Sequence, residues 1–241
     1  MIRFWGGTPL IYIGMDDTDN KTSRGTGRLA RAVAAELSKR FPVWGVTRHQ
    51  LLVDPRVPYT SHNSCNVVHL NVDGDVDLSA LADTAQAVML ADFQEGSDPG
   101  LCVARTITPE MVTFGHRAKT EFVYQAEARE IAQRNGCILR GLGGTQDGVI
   151  GSLAGVGLSF TGEDGRFVLV GRSREVEGTL TVQAIVNCGI ASVRTLDGKI
   201  LAEGLVDTGG KVRPALREHQ PILFVKPPED NSTIWQPVKL D

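Results

Sequence analysis

The chain has 241 residues, 41% hydrophobic and 22% charged, with a formal net charge of −3. That composition is ordinary for a globular protein with room for a large core, and it excludes the strongly basic field of a dedicated nucleic-acid binder while leaving room for a local basic patch. No apolar run reaches the ~18 residues of a membrane span. The N-terminus lacks the charged-then-apolar layout of a signal peptide, and the four cysteines (Cys65, Cys102, Cys137, Cys188) form no CxxC pair. The expectation is a cytoplasmic protein with free thiols, no Cys-rich zinc site and no membrane partner.

In chain order, Pro9-Leu10-Ile11-Tyr12-Ile13 reads as a buried strand running into the acidic stretch Gly14-Met15-Asp16-Asp17-Thr18-Asp19. A polar turn, Lys21 to Gly27, leads to a helix over 28–40, with Leu29, Ala32, Val33 and Leu37 at helical spacing. A strand follows over 45–53. The stretch 54–66 is irregular, because Pro55 and Pro58 rule out a helix. Residues 67–72 alternate as a half-buried strand. A helix is predicted over 78–91, capped by Asp77 or Ser79, and 101–104 returns to strand character. The unit closes near Thr106-Pro109, with a soft boundary over 114–119. A second half opens with a helix over 121–135, ended by Gly136. The glycine-dense segment 141–157 reads as a short helix packed closely against a sheet or ligand. Strands are predicted over 167–170, 190–195, 200–205 and 222–225, with Asp197-Gly198 as a hairpin turn and a Pro-rich tail from Pro227.

Three carboxylates within four positions at a strand's end repel one another unless a cation sits among them. Their hard oxygens suit Mg²⁺, and Mg²⁺ suits nucleotide phosphates. The opposing reading, carboxylates capping a solvated turn, holds for a single Asp but weakens for three at the end of a buried strand beside a helix start. Asp17-Thr18-Asp19 also has the spacing of aspartate-nucleophile phosphatases. The hydroxyl residue expected two positions later is Lys21, and the remaining partners of that site are missing. Gly25-Thr26-Gly27 is not a Walker A loop, and gains interest only from its nearness to the carboxylates. The loop Tyr59 to Asn66 gathers His62, Asn63 and Asn66 among hydroxyl residues, and reads equally as a binding loop or a solvated turn. His62 has the chemistry of a general base, and His49 and His116 have no assigned role. No Ser-His-Asp order emerges.

Taken in order, Gly14 to Asp19, Gly25-Thr26, Leu29-Ala30, Pro58-Tyr59, Asp98-Pro99-Gly100 and Gly148 to Ala154 resemble the TiaS family. These are the archaeal tRNA-isoleucine 2-agmatinylcytidine synthetases. The motifs span Leu10 to Gly157. The resemblance implies an α/β (α+β) fold of two domains. An atypical kinase-like domain would occupy 1–117, a ferredoxin-like domain 118–226 and a tail 227–241. It implies that ATP and Mg²⁺ are bound through the Asp-Asp-Thr-Asp region, and that Thr26 matches a threonine open to phosphorylation. In that family the C2 oxygen of a wobble cytidine is activated by phosphorylation and agmatine displaces the phosphate. An OB-fold and a zinc ribbon hold the tRNA.

Three departures bear on function. No OB-fold or zinc ribbon is expected in this sequence. Thr60-Ser61-His62-Asn63-Ser64 stands where the family carries a basic stretch, and Gly27-Arg28 replaces hydroxyl and aromatic residues. Nucleotide binding therefore carries over better than the tRNA. The expected enzyme is an ATP- and Mg²⁺-dependent phosphotransferase acting on a small-molecule or nucleoside oxygen. Asp16, Asp17 and Asp19 would hold the metal, and together with Thr26 would carry catalysis. Thr18, Arg24, Gly25, His62, Asn63, Asn66, Asp98 and Gly100 would line the nucleotide. The alternatives are a tRNA-modifying enzyme working with a separate RNA-binding partner, and a non-catalytic nucleotide sensor. A homo-oligomer stays open.

Overall fold

A computed structural model of the chain describes residues 11–18, 26–57, 63–92, 96–228 and 233–240. Of the positions expected to matter, Asp19, Arg24, Gly25, His62 and the Thr26 side chain lie outside the described residues, as do Pro9, Leu10, Pro58 and Tyr59. The fold is mixed α/β.

The first part is a sheet covered on both faces. Its strands are β1 (Ile11–Asp16), β2 (Val43–Gln50), β3 (Ser64–Leu70) and β4 (Gly100–Ala104). β5 (Ile138–Gly141) and β6 (Arg166–Val170) extend it, giving the order β5-β4-β1-β3-β2-β6 with antiparallel pairings throughout. β1 lies at the middle, and Ile11, Tyr12, Ile13 and Met15 are all buried, which explains its unbroken apolar run. Ile11, Ile13 and Met15 pack beneath α1 (Thr26–Leu37) and α2 (Leu78–Ala91). Tyr12 faces the opposite side with Cys65 and Val67, under α3 (Pro109–Thr120), α4 (Gln125–Arg134) and α5 (Gly148–Thr161).

The later strands continue the sheet beyond β6. Between β7 (Thr179–Thr181) and β8 (Ser192–Thr195) lies the short α6 (Val182–Asn187). β9 (Leu205–Asp207), β10 (Ala215–Arg217), β11 (Gln220–Lys226) and β12 (Ile234–Pro237) complete the order β6-β10-β11-β12-β9-β7. β8 joins β11 in parallel. A separate cluster including Val182, Ile185, Val193, Val206 and Leu223 forms the core here.

The helix expected over 78–91 is α2, and Asp77 caps it by accepting from the N–H groups of Ser79 and Ala80. α3 falls on the stretch read as a boundary. Thr108 is its N-cap, Pro109 takes its first position and Glu110 sits in its first turn. Residue 117 thus lies inside α3, and β5 and α5 pack with the sheet begun by β1. The run 200–205 is not one strand: Ile200 makes an isolated bridge to Arg194, and β9 begins only at Leu205.

The glycine-dense segment packs as its composition predicts. α5 lies across β1, β3 and β4 at a range that only missing side chains permit. A methyl group at Gly14 would overlap the Ser152 carbonyl, and one at Gly155 would meet Cys65 and Val67. On the other flank of α5, a methyl at Gly157 would overlap the Met111 carbonyl of α3. Gly14→Ala is expected to destabilise the fold by about 1–3 kcal/mol through overpacking. Gly27→Ala, whose nearest neighbours stand at 3.8 Å, should be neutral or slightly stabilising. Urea midpoints of the two variants against the parent chain test this contrast.

Candidate functional site

The site begins where β1 ends. Asp16 stands opposite Gly100 of β4 in the strand register. The next residue, Asp17, has φ of 48°, a left-handed conformation that Asp tolerates better than most residues. The chain therefore turns sharply as the carboxylates emerge. Thr18 follows, 5% exposed, and its Oγ1 has no hydrogen-bond partner among the described residues.

Asn66 lies across from Met15 on β3 and is 1% exposed. Its Oδ1 also has no partner among the described residues. Leaving a buried polar group unpaired costs about 1–3 kcal/mol, so two such oxygens at one strand end are a strong departure from ordinary folding. The first turn of α1 passes directly over Asn66. A Cβ on Gly27 would stand 3.8 Å from both Asn66 Oδ1 and Arg31 Nη1.

Asp16 points to the other side of the sheet, toward α5. A methyl group at Gly151 would overlap the Asp16 carboxylate, so the first turn of α5 fits around that side chain. A helix N-terminus favours a neighbouring negative charge. Gly148 in the same turn lies against the backbone of Asp16, Asp98 and Gly100. Burial pushes the Cys65 thiol well up, with the Asp16 charge adding to the effect, so Cys65 is held as a neutral thiol.

Asp98-Pro99-Gly100 braces the start of α5. The Asp98 carbonyl accepts from Gly148 N at 3.0 Å, its carboxylate accepts from Thr145 N, and the Pro99 carbonyl accepts from Leu142 N at 2.7 Å. Asn63 is likewise engaged. Its Nδ2 donates to the Leu52 carbonyl at 2.8 Å, and its carbonyl accepts from Leu51 N and from Gln50 Nε2. These bonds close the β2–β3 connection. Of the expected site residues, Asp16, Asp17, Thr18 and Asn66 gather at the β1 end, and Gly100 adjoins Asp16. Gly148 and Gly151 belong with them; the sequence marked them by the density of glycines and by the Gly148 to Ala154 motif. A groove of about 710 Å³ between α1 and α2 lies at the far end of α1, lined by Leu37, Phe41, Leu81 and Val88 among others.

Among the described residues no three His, Cys, Asp or Glu side chains gather as a metal-binding group. Asp19, the third expected carboxylate, is outside that set. The donors present, Asp16 and Asp17 with the unpartnered Thr18 hydroxyl nearby, are hard oxygens and fit Mg²⁺ better than a soft metal.

The solved structures can now be compared. No protein-family model matches the chain, and no curated protein matches it. The crystal structure of the TiaS–tRNA(Ile2)–ATP complex matches with a TM-score of 0.54 at 22% identity, covering 61% of this chain and 36% of that one. The shared fold is that of TiaS. A second TiaS structure, the complex with tRNA(Ile2), AMPCPP and agmatine, matches at TM-score 0.52 and 20% identity, over 61% of this chain and 35% of that one. A tRNA fluorescent labeling enzyme matches at TM-score 0.52 and 23% identity, with the same coverages. The chain thus spans little more than a third of the length of the TiaS chains it resembles. No helix among its described residues is long and apolar enough to cross a membrane.

A second polar cluster, which the sequence did not disclose, lies under the C-terminal half of α5. Thr47 Oγ1 is 2.8 Å from both His49 Nε2 and His69 Nε2, and Ser159 Oγ is 2.7 Å from His49 Nε2. His49 Nδ1 meets Asp164 Oδ1 at 2.9 Å, and Asp164 also pairs with Lys119. Burial works to raise the Asp164 carboxyl, but the hydrogen bonds from His49 and Lys119 hold it at about 2. Ser159, His49 and Asp164 have the order of contacts of a nucleophile, base and orienting acid. Ser159 is 2% exposed and His49 is fully buried, so no substrate reaches them, and the cluster acts on stability.

Burial pushes His69 down to about 3, with the His49 charge adding to it, and burial likewise lowers His49 despite Asp164. Both histidines therefore take up protons more readily in the unfolded chain, where the usual value is 6.5. Stability should be constant above that value. As pH falls below it, each histidine should cost about 1.4 kcal/mol per pH unit until its folded value is reached. Urea melts between pH 7.5 and pH 4.5 should show this fall, and His69→Gln should make it shallower while leaving the His49 contribution.

Proposed function

We propose that this chain is an ATP-dependent enzyme related to TiaS, which activates an oxygen atom of its substrate by phosphoryl transfer at the end of β1. The observation that carries the reading is that Thr18 Oγ1 and Asn66 Oδ1 are buried with no partner among the described residues, at the strand end that carries Asp16 and Asp17, with Asn66 beneath the start of α1. Such groups persist in a fold when a ligand completes their bonding. The TiaS complexes with ATP and with AMPCPP, which share the fold, support a nucleotide as that ligand.

In this reading Asp16 and Asp17, joined by Asp19, hold Mg²⁺, and the ion when bound neutralises phosphate charge. Thr18 and Asn66 orient the nucleotide. Gly25 and Thr26, next to α1 in the sequence, would offer backbone N–H groups to a phosphate, and Arg24 and His62 are proposed as further nucleotide contacts on their chemistry alone. Asp98 and Gly100 fix α5 so that its first turn, at Gly151, holds the Asp16 carboxylate in one orientation. Catalysis of this kind is mainly positioning and charge neutralisation. The acceptor is a small molecule or a nucleoside oxygen. A tRNA acceptor, delivered with a separate RNA-binding partner, is the second reading, and it draws on the tRNA(Ile2) of the matching TiaS complexes.

Incubation with γ-labelled ATP, Mg²⁺ and a pool of metabolites and tRNA tests the proposal. Label should transfer, and Asp16→Asn should lower the rate by at least about 100-fold. Asn66→Leu should separate function from folding: it removes an unpaired buried oxygen, so the urea midpoint should rise while ATP binding weakens by at least about tenfold. ATP binding equal to the parent chain in both variants would contradict the assignment.

A further inference from the structure

The face of the sheet that carries α1 also carries a concentration of positive charge. The first turn of α1 presents an exposed Arg28 and a half-buried Arg31, whose Nη1 donates to the Gly27 carbonyl at 2.8 Å. α1 packs against β2, β3 and β6. The two loops flanking β6 each bring one more arginine. Behind the strand, Ser173 N donates to the Val170 carbonyl at 2.9 Å and Ser173 Oγ accepts from Val170 N at 3.1 Å, a tight turn that leaves the next residue, Arg174, exposed. Beside the strand, the Pro214 carbonyl accepts from Phe167 N at 2.7 Å, which fixes the half-buried Arg213 next to β6. Burial of the Arg31 guanidinium, together with the charges of Arg174, Arg28 and Arg213, lowers its proton affinity. In the sheet beneath, Asn66, Arg48 and Arg166 stand opposite one another in one cross-strand row.

Several other arginines are neutralised. Arg172 pairs with Glu175, Arg134 with Glu110, Arg194 with Glu218 and Arg140 with Asp83. Arg28, Arg31, Arg174 and Arg213 have no carboxylate partner among the described residues. Four like charges drawn from three separate segments repel one another, and folding alone gains nothing by collecting them. An anion removes that repulsion. The planar guanidinium fork matches the oxygens of phosphate, and four such groups suit several linked phosphates better than a single carboxylate.

We propose that Arg28, Arg31, Arg174 and Arg213 form a phosphoanion site that holds a run of linked phosphates on the face of the sheet that carries α1. Arg174 and Arg213 come from the chain beyond the stretch that carries the sequence motifs, so the site joins the later strands to α1. It goes beyond the catalytic reading and does not depend on it, because the arginines bind phosphate with or without a metal or a transfer reaction.

Titration calorimetry of the full chain with inorganic tripolyphosphate, in the presence of EDTA, tests it. Without a metal the carboxylates at the β1 end cannot recruit phosphate and only oppose it, so binding here is separate from the outcome of the transfer assay. Binding is expected, falling as salt rises. The Arg174→Gln/Arg213→Gln double variant should bind at least about tenfold more weakly, a loss of about 1.4 kcal/mol. Arg28→Gln, on an exposed helix position, should show a loss in the same direction and provides the second variant if the double variant fails to fold. Displacement of tripolyphosphate by ATP would identify the phosphates as those of a nucleotide. Displacement by a single-stranded RNA oligonucleotide would identify them as a nucleic-acid backbone. No binding by the parent chain, or equal binding by the parent and the folded variants, would overturn the proposal.

Discussion

The structure depends on the close approach of α5 to the central strands. Ordinary side chains hold a helix off the sheet on which it packs. Here Gly14 on the strand and Gly148, Gly151 and Gly155 on the helix remove the atoms that would hold the two apart. The contact brings the backbone of the first turn of α5 to the end of β1, where it closes around Asp16. The same helix also packs against α3 through Gly157 and Gly115. One constraint thus fixes the buried core on that face and the orientation of the first carboxylate.

That arrangement divides the β1 end between two faces. Asp16 is turned toward α5, whereas Asn66 lies under α1, and the left-handed Asp17 lets the chain pass between them. The cost is visible in the oxygens of Thr18 and Asn66, which have no partner among the described residues. Local consistency fails at functional sites in natural proteins, and here the failure coincides with the acidic stretch. By contrast the Thr47–His49–His69–Ser159 cluster is sealed, although His69 Nδ1 also lacks a partner among the described residues. Chemistry-bearing residues in contact do not by themselves make a site; access decides.

The sequence made some of this legible for physical reasons. β1 and the acidic stretch stand out because a run of buried residues ends abruptly in carboxylates. α2 was readable from its cap and spacing, and the glycines of α5 announced a close approach. α3 was hidden because Pro109 reads as a breaker, although Thr108, Pro109 and Glu110 together are a helix-start signature. The binding role expected of Asp98 and Asn63 rested on residue type. Their main bonds prove to be to the backbone, where the same polarity that suits a ligand suits a turn. The grouping of the four arginines could not be seen, since they come from α1, the loop after β6 and the approach to β10, and only the tertiary fold unites them.

The central claim is that a nucleotide completes the bonding of the β1 end. A crystal structure of the chain with Mg²⁺ and a non-hydrolysable ATP analogue tests it most directly. The account predicts phosphates between Asp16–Thr18 and the start of α1, with Thr18 Oγ1 and Asn66 Oδ1 each gaining a hydrogen-bond partner. An analogue bound elsewhere, with both oxygens still unpaired, would contradict it.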